Sequence, residues 1–242
     1  MRGPPTFDSY RTDVLYLPMP ERRNQRPYNV EYYRRNREAE IRRVTSRQRA
    51  TLGWLRVLRS GPCLDCGRSL PPFVMDFDHR DPTTKCFDVA AGKSLLKSRA
   101  ELEREIAKCD IVCANCHRVR THLAQTRGDL RLPPSAPQKA ATPRRLRDRD
   151  KNREVRELHR DLLHAFRRSA CFDCGVRFPW YVMEFDHRDG TTKESLVNRL
   201  AGRAGLMRLL EEIEKCDIVC ANCHRLRTYA RREAARISAG VS

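Results

Sequence analysis

Eight of the chain's eleven cysteines fall into four C-x-x-C pairs: Cys63/Cys66, Cys113/Cys116, Cys171/Cys174 and Cys220/Cys223. Two such pairs brought together supply four thiolates for a closed tetrahedral zinc site. The spacing therefore predicts structural zinc, about two ions per chain, rather than disulfides. Gly67 and Gly175 follow the first pair of each set, where a knuckle turn favours positive φ. Asn115 and Asn222 sit inside the second pair, and Asn is the next residue most tolerant of a left-handed turn. Cys109 and Cys216 recur as well and read as small buried residues, with zinc ligation as the alternative.

A second set of residues is surplus to zinc. Asp78–His79 and Asp186–His187 lie between the cysteine pairs, and His117 and His224 directly follow the last cysteine of each set. An Asp and a His at one spot can hold a divalent cation with open coordination positions. A neighbouring His can take a proton from water near neutral pH. Together they are the minimum needed for metal-assisted hydrolysis of a phosphodiester. Asp76 and Glu184, on the same strand face as Asp78 and Asp186, are further candidates for the metal. The C-x-x-C-H spacing also matches covalent haem attachment. That reading needs export, no apolar h-region opens the sequence, and it leaves the upstream pairs without a purpose.

These residues belong to an internal repeat. Residues 63–85 match residues 171–193 at 15 of 23 positions, and residues 105–121 match residues 212–228 at 15 of 17, so chance pairing of the knuckles is excluded. Both copies keep the Asp-His pair and the final His, which points to two active sites. Upstream, Trp54, Leu55 and Leu58 fall on Leu162, Leu163 and Phe166, an apolar stripe at helical spacing.

The net charge of +18 and the pI near 9.9 predict a polyanionic partner, with nucleic acid the first choice. Nine Arg against two Glu between Arg34 and Arg59 place much of that charge on one segment. High charge (33%) and few aromatic residues (7%) leave little for a core, so metal is the expected staple. No run of apolar residues is long enough for a membrane span, and the expected compartment is the cytoplasm, where thiols stay reduced.

The expected elements follow from periodicity. Residues 30–60 read as a basic helix, the segments "FVMDFDH" and "YVMEFDH" as strands, and "SRAELEREIAK" and "LMRLLEEIEK" as short amphipathic helices. Residues 1–29 read as irregular. Residues 126–148, rich in Pro and Arg, read as a linker, and residues 233–242 as a frayed tail. The fold class is thus small, zinc-bound α+β, with one domain over residues 61–125 and another, behind its own basic helix, over residues 149–232.

The order C-x-x-C, Asp-His, then C-x-x-C-His followed by basic residues resembles the HNH endonuclease family, over roughly residues 61–122 and again 169–229. The resemblance implies tandem ββα-metal, treble-clef-like domains and a metal-dependent DNA endonuclease, with double-stranded DNA the expected form of the partner. It implies His79 and His187 as general bases, and Asp78, His117, Asp186 and His224 as ligands of Mg²⁺ or Mn²⁺. Arg80, Lys85, Arg118, Arg120, Arg188, Lys193, Arg225 and Arg227 are candidate phosphate contacts. One chain carrying two centres could act as a monomeric pseudo-dimer. The family's middle Asn has no counterpart between Arg80 and Val112; Asp110 and Asp217, or Asn115 and Asn222, are the substitutes on offer. The alternative function is a non-catalytic zinc-ribbon protein that binds nucleic acid for regulation.

Overall fold

The computed structural model describes residues 26–91, 94–128 and 143–240. Helix α1 (Arg26–Leu58) is followed by strand β1 (Met75–His79), helix α2 (Arg99–Ile106), strand β2 (Cys109–Cys113) and helix α3 (Ala114–Arg127). Helix α4 (Pro143–Phe166), strand β3 (Met183–His187), helices α5 (Val197–Leu200) and α6 (Leu206–Glu214), strand β4 (Cys216–Cys220) and helix α7 (Ala221–Ser238) repeat the order. The class is α+β, with two small antiparallel sheets, β1–β2 and β3–β4. Among the described residues no helix is long and apolar enough to cross a membrane.

The chain divides into two compact units, residues 1–46 and 47–242. In the first unit the described residues are helical. Surface ion pairs one turn apart, Glu31–Arg35 and Glu40–Arg43, support the helix. The second unit contains both copies of the repeat.

Several expected boundaries shift. Helix α1 begins at Arg26, inside the segment read as irregular. Helix α4 begins at Pro143, inside the segment read as a linker; Pro suits the first helical position, where its missing N–H has no partner to lose. Helix α7 continues to Ser238 through the segment read as a tail, because no Gly or Pro interrupts residues 225–238. Helix α3 takes in residues 126 and 127 of the expected linker, and residues 1–25 and 129–142 lie outside the described residues.

Each copy builds its core the same way. Leu55 of α1 is fully buried with Val89, Leu95 and Leu102, and Trp54 and Phe77 pack on them. In the second copy Leu163 of α4 joins Val197, Leu200, Leu209 and Ile213. A smaller cluster beneath each knuckle holds Cys63, Met75, Val112 and Cys113, or Cys171, Val182, Met183, Val219 and Cys220. Helix α2 starts with a capping box: Ser98 accepts from the Glu101 N–H, and the Glu101 carboxylate accepts from the Ser98 N–H.

The two copies face each other across a pseudo-twofold relationship through α3 and α7. The Asn115 N–H donates to Asn222 Oδ1 at 3.0 Å, and the Asn222 N–H donates to Asn115 Oδ1 at 2.9 Å. Around this pair the contacts repeat with exchanged partners. Phe73 stacks on Tyr229, and its counterpart Tyr181 stacks on His122. Arg225 forks onto Asp76 of the first copy at 2.8 and 2.7 Å, and Arg118 pairs with Glu184 of the second. Asn115 and Asn222 are therefore not left-handed turn residues. Among the described residues every positive φ belongs to glycine, Gly67 (+69°) and Gly175 (+68°) included, and both Asn lie in the first turn of a helix.

Candidate metal and catalytic centres

The eight paired cysteines gather into two four-cysteine sets, Cys63/Cys66/Cys113/Cys116 and Cys171/Cys174/Cys220/Cys223, with the sulfurs of each set within 4.8 Å of one another. Zinc–sulfur bonds of about 2.3 Å in a tetrahedron put sulfurs about 3.8 Å apart, so both sets fit zinc. Cys66 and Cys113 already stand at 4.0 Å. The knuckles aim backbone N–H groups at sulfur: Cys113 N–H donates to Cys63 Sγ, and Cys220 N–H to Cys171 Sγ, both at 3.2 Å. Burial alone raises a thiol, but the backbone N–H groups of Cys66, Cys113 and Asp65 bring Cys63 down to about 7. Cys171 is brought to about 7 in the same way, against its own burial, by Cys174, Cys220 and Asp173. Burial and neighbouring thiols push Cys116 and Cys223 strongly upward, the cost that a bound cation removes.

Cys109 and Cys216 stand outside both sets. Their thiols donate to Glu105 O at 3.4 Å and Glu212 O at 3.3 Å, and burial lifts each to about 11. Cys216 is buried and Cys109 half-buried, in line with the simpler reading of small packed residues.

The strands place the second set of residues. Register pairs Asp78 with Asp110 and His79 with Cys109; in the second copy it pairs Asp186 with Asp217 and His187 with Cys216. Alternation along β1 turns Asp76 and Asp78 toward α3, where His117 projects from the first full turn. His117 Nδ1 meets Asp76 Oδ2 at 2.9 Å, and His117 Nε2 lies 3.3 Å from Asp78 Oδ1. Hydrogen bonds accepted by Asp76 and Asp78 outweigh desolvation and raise His117 to about 9. His224 makes the same two contacts, through Nδ1 with Glu184 and through Nε2 with Asp186 Oδ1 at 3.3 Å. Ligands about 2.1 Å from an octahedral Mg²⁺ sit about 3 Å apart when adjacent, so an Asp oxygen and a His nitrogen at 3.3 Å suit one such cation. The pair supplies two protein donors and leaves the other positions open.

Like charges opposite each other in a sheet repel, and here Asp78 faces Asp110. Arg120 resolves this by donating to Asp78 at 3.2 Å, to Asp110 at 2.8 Å and to Asp65 of the knuckle at 2.6 Å. Arg227 does the same for Asp186, Asp217 and Asp173. Asp110 and Asp217 are thus arginine partners across the strand pair.

His79, one residue on, turns the other way. Its ring is buried, and Nε2 meets Glu105 Oε1 of α2 at 2.8 Å; His187 meets Glu212 at 2.7 Å. Burial would raise Glu105, but Lys108, the N–H groups of Cys86 and Phe87, and His79 together hold its carboxyl at about 2. Glu212 is held at about 2 as well: burial pushes it up, and Lys215, the Ser195 N–H and His187 prevail. An ionised carboxylate only accepts, so Nε2 of each His carries a proton, and in the neutral ring Nδ1 is the acceptor. Sequence reasoning missed Glu105 and Glu212. The signal was present, since each opens the better matched block of the repeat.

The first centre opens on a groove of about 790 Å³ lined by Asp78, His79, Lys85, His117, Arg120 and Thr121. Of the candidate phosphate contacts, Lys85 pairs with Asp88, and Lys193 is exposed. Arg80 and Arg188 donate to strand carbonyls, Cys109 O and Cys216 O, both at 3.0 Å. Arg118 and Arg225 join the two copies, and Arg120 and Arg227 tie the acidic strand pairs.

No family model, no curated protein and no solved structure matches the chain.

Proposed function

We propose that the protein is a metal-dependent DNA endonuclease of the HNH kind, hydrolysing phosphodiester bonds with a His-activated water. The observation that carries this reading is the set Asp78–His117 beside a His79 whose tautomer Glu105 fixes, all lining one groove next to a four-cysteine site. Mg²⁺ or Mn²⁺ at Asp78 and His117 would neutralise the scissile phosphate and the leaving oxygen. His79 accepts the water proton at Nδ1, because Nε2–H is held by Glu105. Asp76 orients the His117 ring through Nδ1, which leaves Nε2 for the cation. Asp186, His187 and His224 occupy the corresponding positions at the second centre. A zinc ion at each four-cysteine set would hold the knuckle so that the final cysteine and the following His keep fixed relative positions.

A second reading, a zinc module that binds nucleic acid without cutting it, draws on the arginines. Arg120 and Arg227 neutralise the carboxylates that would hold the cation, and Arg225 neutralises Asp76, which orients His117. Incubating supercoiled plasmid with the zinc-loaded protein, with Mn²⁺ or with EDTA, separates the two. The nuclease reading requires Mn²⁺-dependent nicking. Retarded but uncut plasmid under every divalent cation supports the binding module and sinks the nuclease.

A further inference from the structure

We infer that the two centres are not equivalent: Arg231 closes the second to a divalent cation, and the first alone of the pair takes one. This rests on the metal reading of Asp78 and His117 given above and assigns the two copies different roles.

The difference lies two helical turns past the final His. Position 124 on α3 and position 231 on α7 correspond in the repeat, and they hold Ala and Arg. Ala124 forms part of the wall of the first groove and offers no polar side chain. Arg231 reaches back over the second centre. Its two terminal nitrogens donate to Asp186 Oδ1 and Oδ2, each at 2.8 Å, and one also donates to the His187 carbonyl at 3.2 Å. This bidentate fork is the strong geometry for a guanidinium on a carboxylate.

The consequence shows in the lone pairs. A carboxylate has about four acceptor sites. Asp186 Oδ1 meets Arg231 and His224, and Oδ2 meets Arg231 and Arg227, so all four are taken. Asp78 Oδ1 meets His117 and Oδ2 meets Arg120, which leaves one site on each oxygen. The side chain of Asp186 is 4% exposed and that of Asp78 16%. The guanidinium thus supplies in the second copy the positive charge that a metal would supply in the first. A cation entering the second centre must displace a two-pronged ion pair from a buried carboxylate, whereas at the first it meets an accessible oxygen.

Mn²⁺ stoichiometry, read by electron paramagnetic resonance on the full-length, zinc-loaded chain, tests this apart from any activity. Wild type should bind about one Mn²⁺. Arg231→Ala should raise this to about two, and adding Asp186→Asn should return it to about one. Ala124→Arg, which places the same fork over Asp78, should abolish binding. Unchanged zinc content shows that the fold is kept in each variant. Two equivalent Mn²⁺ in wild type would overturn the inference and leave the nuclease reading standing. So would one Mn²⁺ in both Arg231→Ala and Ala124→Arg. Absence of Mn²⁺ binding in every variant would take the metal reading down together with the inference.

Discussion

Asn115 and Asn222 exchange hydrogen bonds across the two copies, each side-chain carbonyl accepting the other's backbone N–H at 2.9–3.0 Å. The first N–H groups of a helix have no partner within it. Here each copy supplies the cap that the other's knuckle helix lacks, since neither Cys113 nor Cys220 provides a side-chain cap. Asn115→Ala or Asn222→Ala should cost about 1–2 kcal/mol, the usual loss of a cap plus a buried unpaired N–H. Asn115→Asp should be nearly neutral, because a carboxylate also accepts and favours a helix N-terminus. Asn115→Asp with Asn222→Asp should cost more than the two singles together, since the charges would face each other. Chemical denaturation of Asn115→Asp, Asn222→Asp and the double variant measures the coupling, and strict additivity would contradict the pairing.

The zinc account concerns the four-cysteine sets. Metal analysis should find about two zinc per chain, and Cys66→Ser should lower this to about one while sparing the second set. Structural zinc binding is part of the folding free energy, so stripping both ions should abolish cooperative thermal unfolding. A chelated protein that keeps a sharp transition at the same temperature would contradict it.

The buried glutamates set an acid limit. Glu105 and Glu212 are both held at about 2, below the ordinary 4.5. A depressed carboxylate contributes stability that is present above its unfolded value and is lost as pH falls through the folded one. Stability should therefore decline between about pH 4.5 and about pH 2. In Glu105→Gln with Glu212→Gln that slope should shrink, and the protein should be less stable at pH 7. An unchanged pH profile in the double variant, followed by circular dichroism, would show that these carboxylates are not so held.

Helix α1 carries arginines on exposed positions, Arg34 and Arg37 among them. Phosphate contacts release counterions, so each one lost lowers the salt dependence of DNA affinity by about one in log–log slope. Arg34→Ala with Arg37→Ala should weaken binding evenly across sequences and reduce the slope by about two. An unchanged slope in fluorescence anisotropy titrations would place DNA elsewhere.

Much of this molecule was legible in its residues because the repeat marked what mattered. The four C-x-x-C pairs and the amphipathic patterns gave the zinc sets, strands and helices, since these depend on spacing within a few residues. The pairing of Asp78 with His117 followed only once β1 and α3 were known to lie side by side. Glu105 was passed over because one of three glutamates on a short charged helix reads as surface, and its burial depends on a contact 26 residues away. Asn115 and Asn222 were misread as turn residues. Their partner lies 107 residues along, and no local pattern encodes a contact at that range. Arg231 fell just outside the matched blocks, in a stretch where arginine is common.

The most direct test of the central claim is plasmid nicking by wild type, His79→Ala, His187→Ala and the double variant with Mn²⁺. Loss of a general base costs about 10²–10⁴-fold. The account predicts nicking by wild type, a loss of that size in His79→Ala, little change in His187→Ala and a loss in the double variant no greater than in His79→Ala. Nicking by the double variant at the wild-type rate, or no nicking by wild type with any divalent cation, would contradict it.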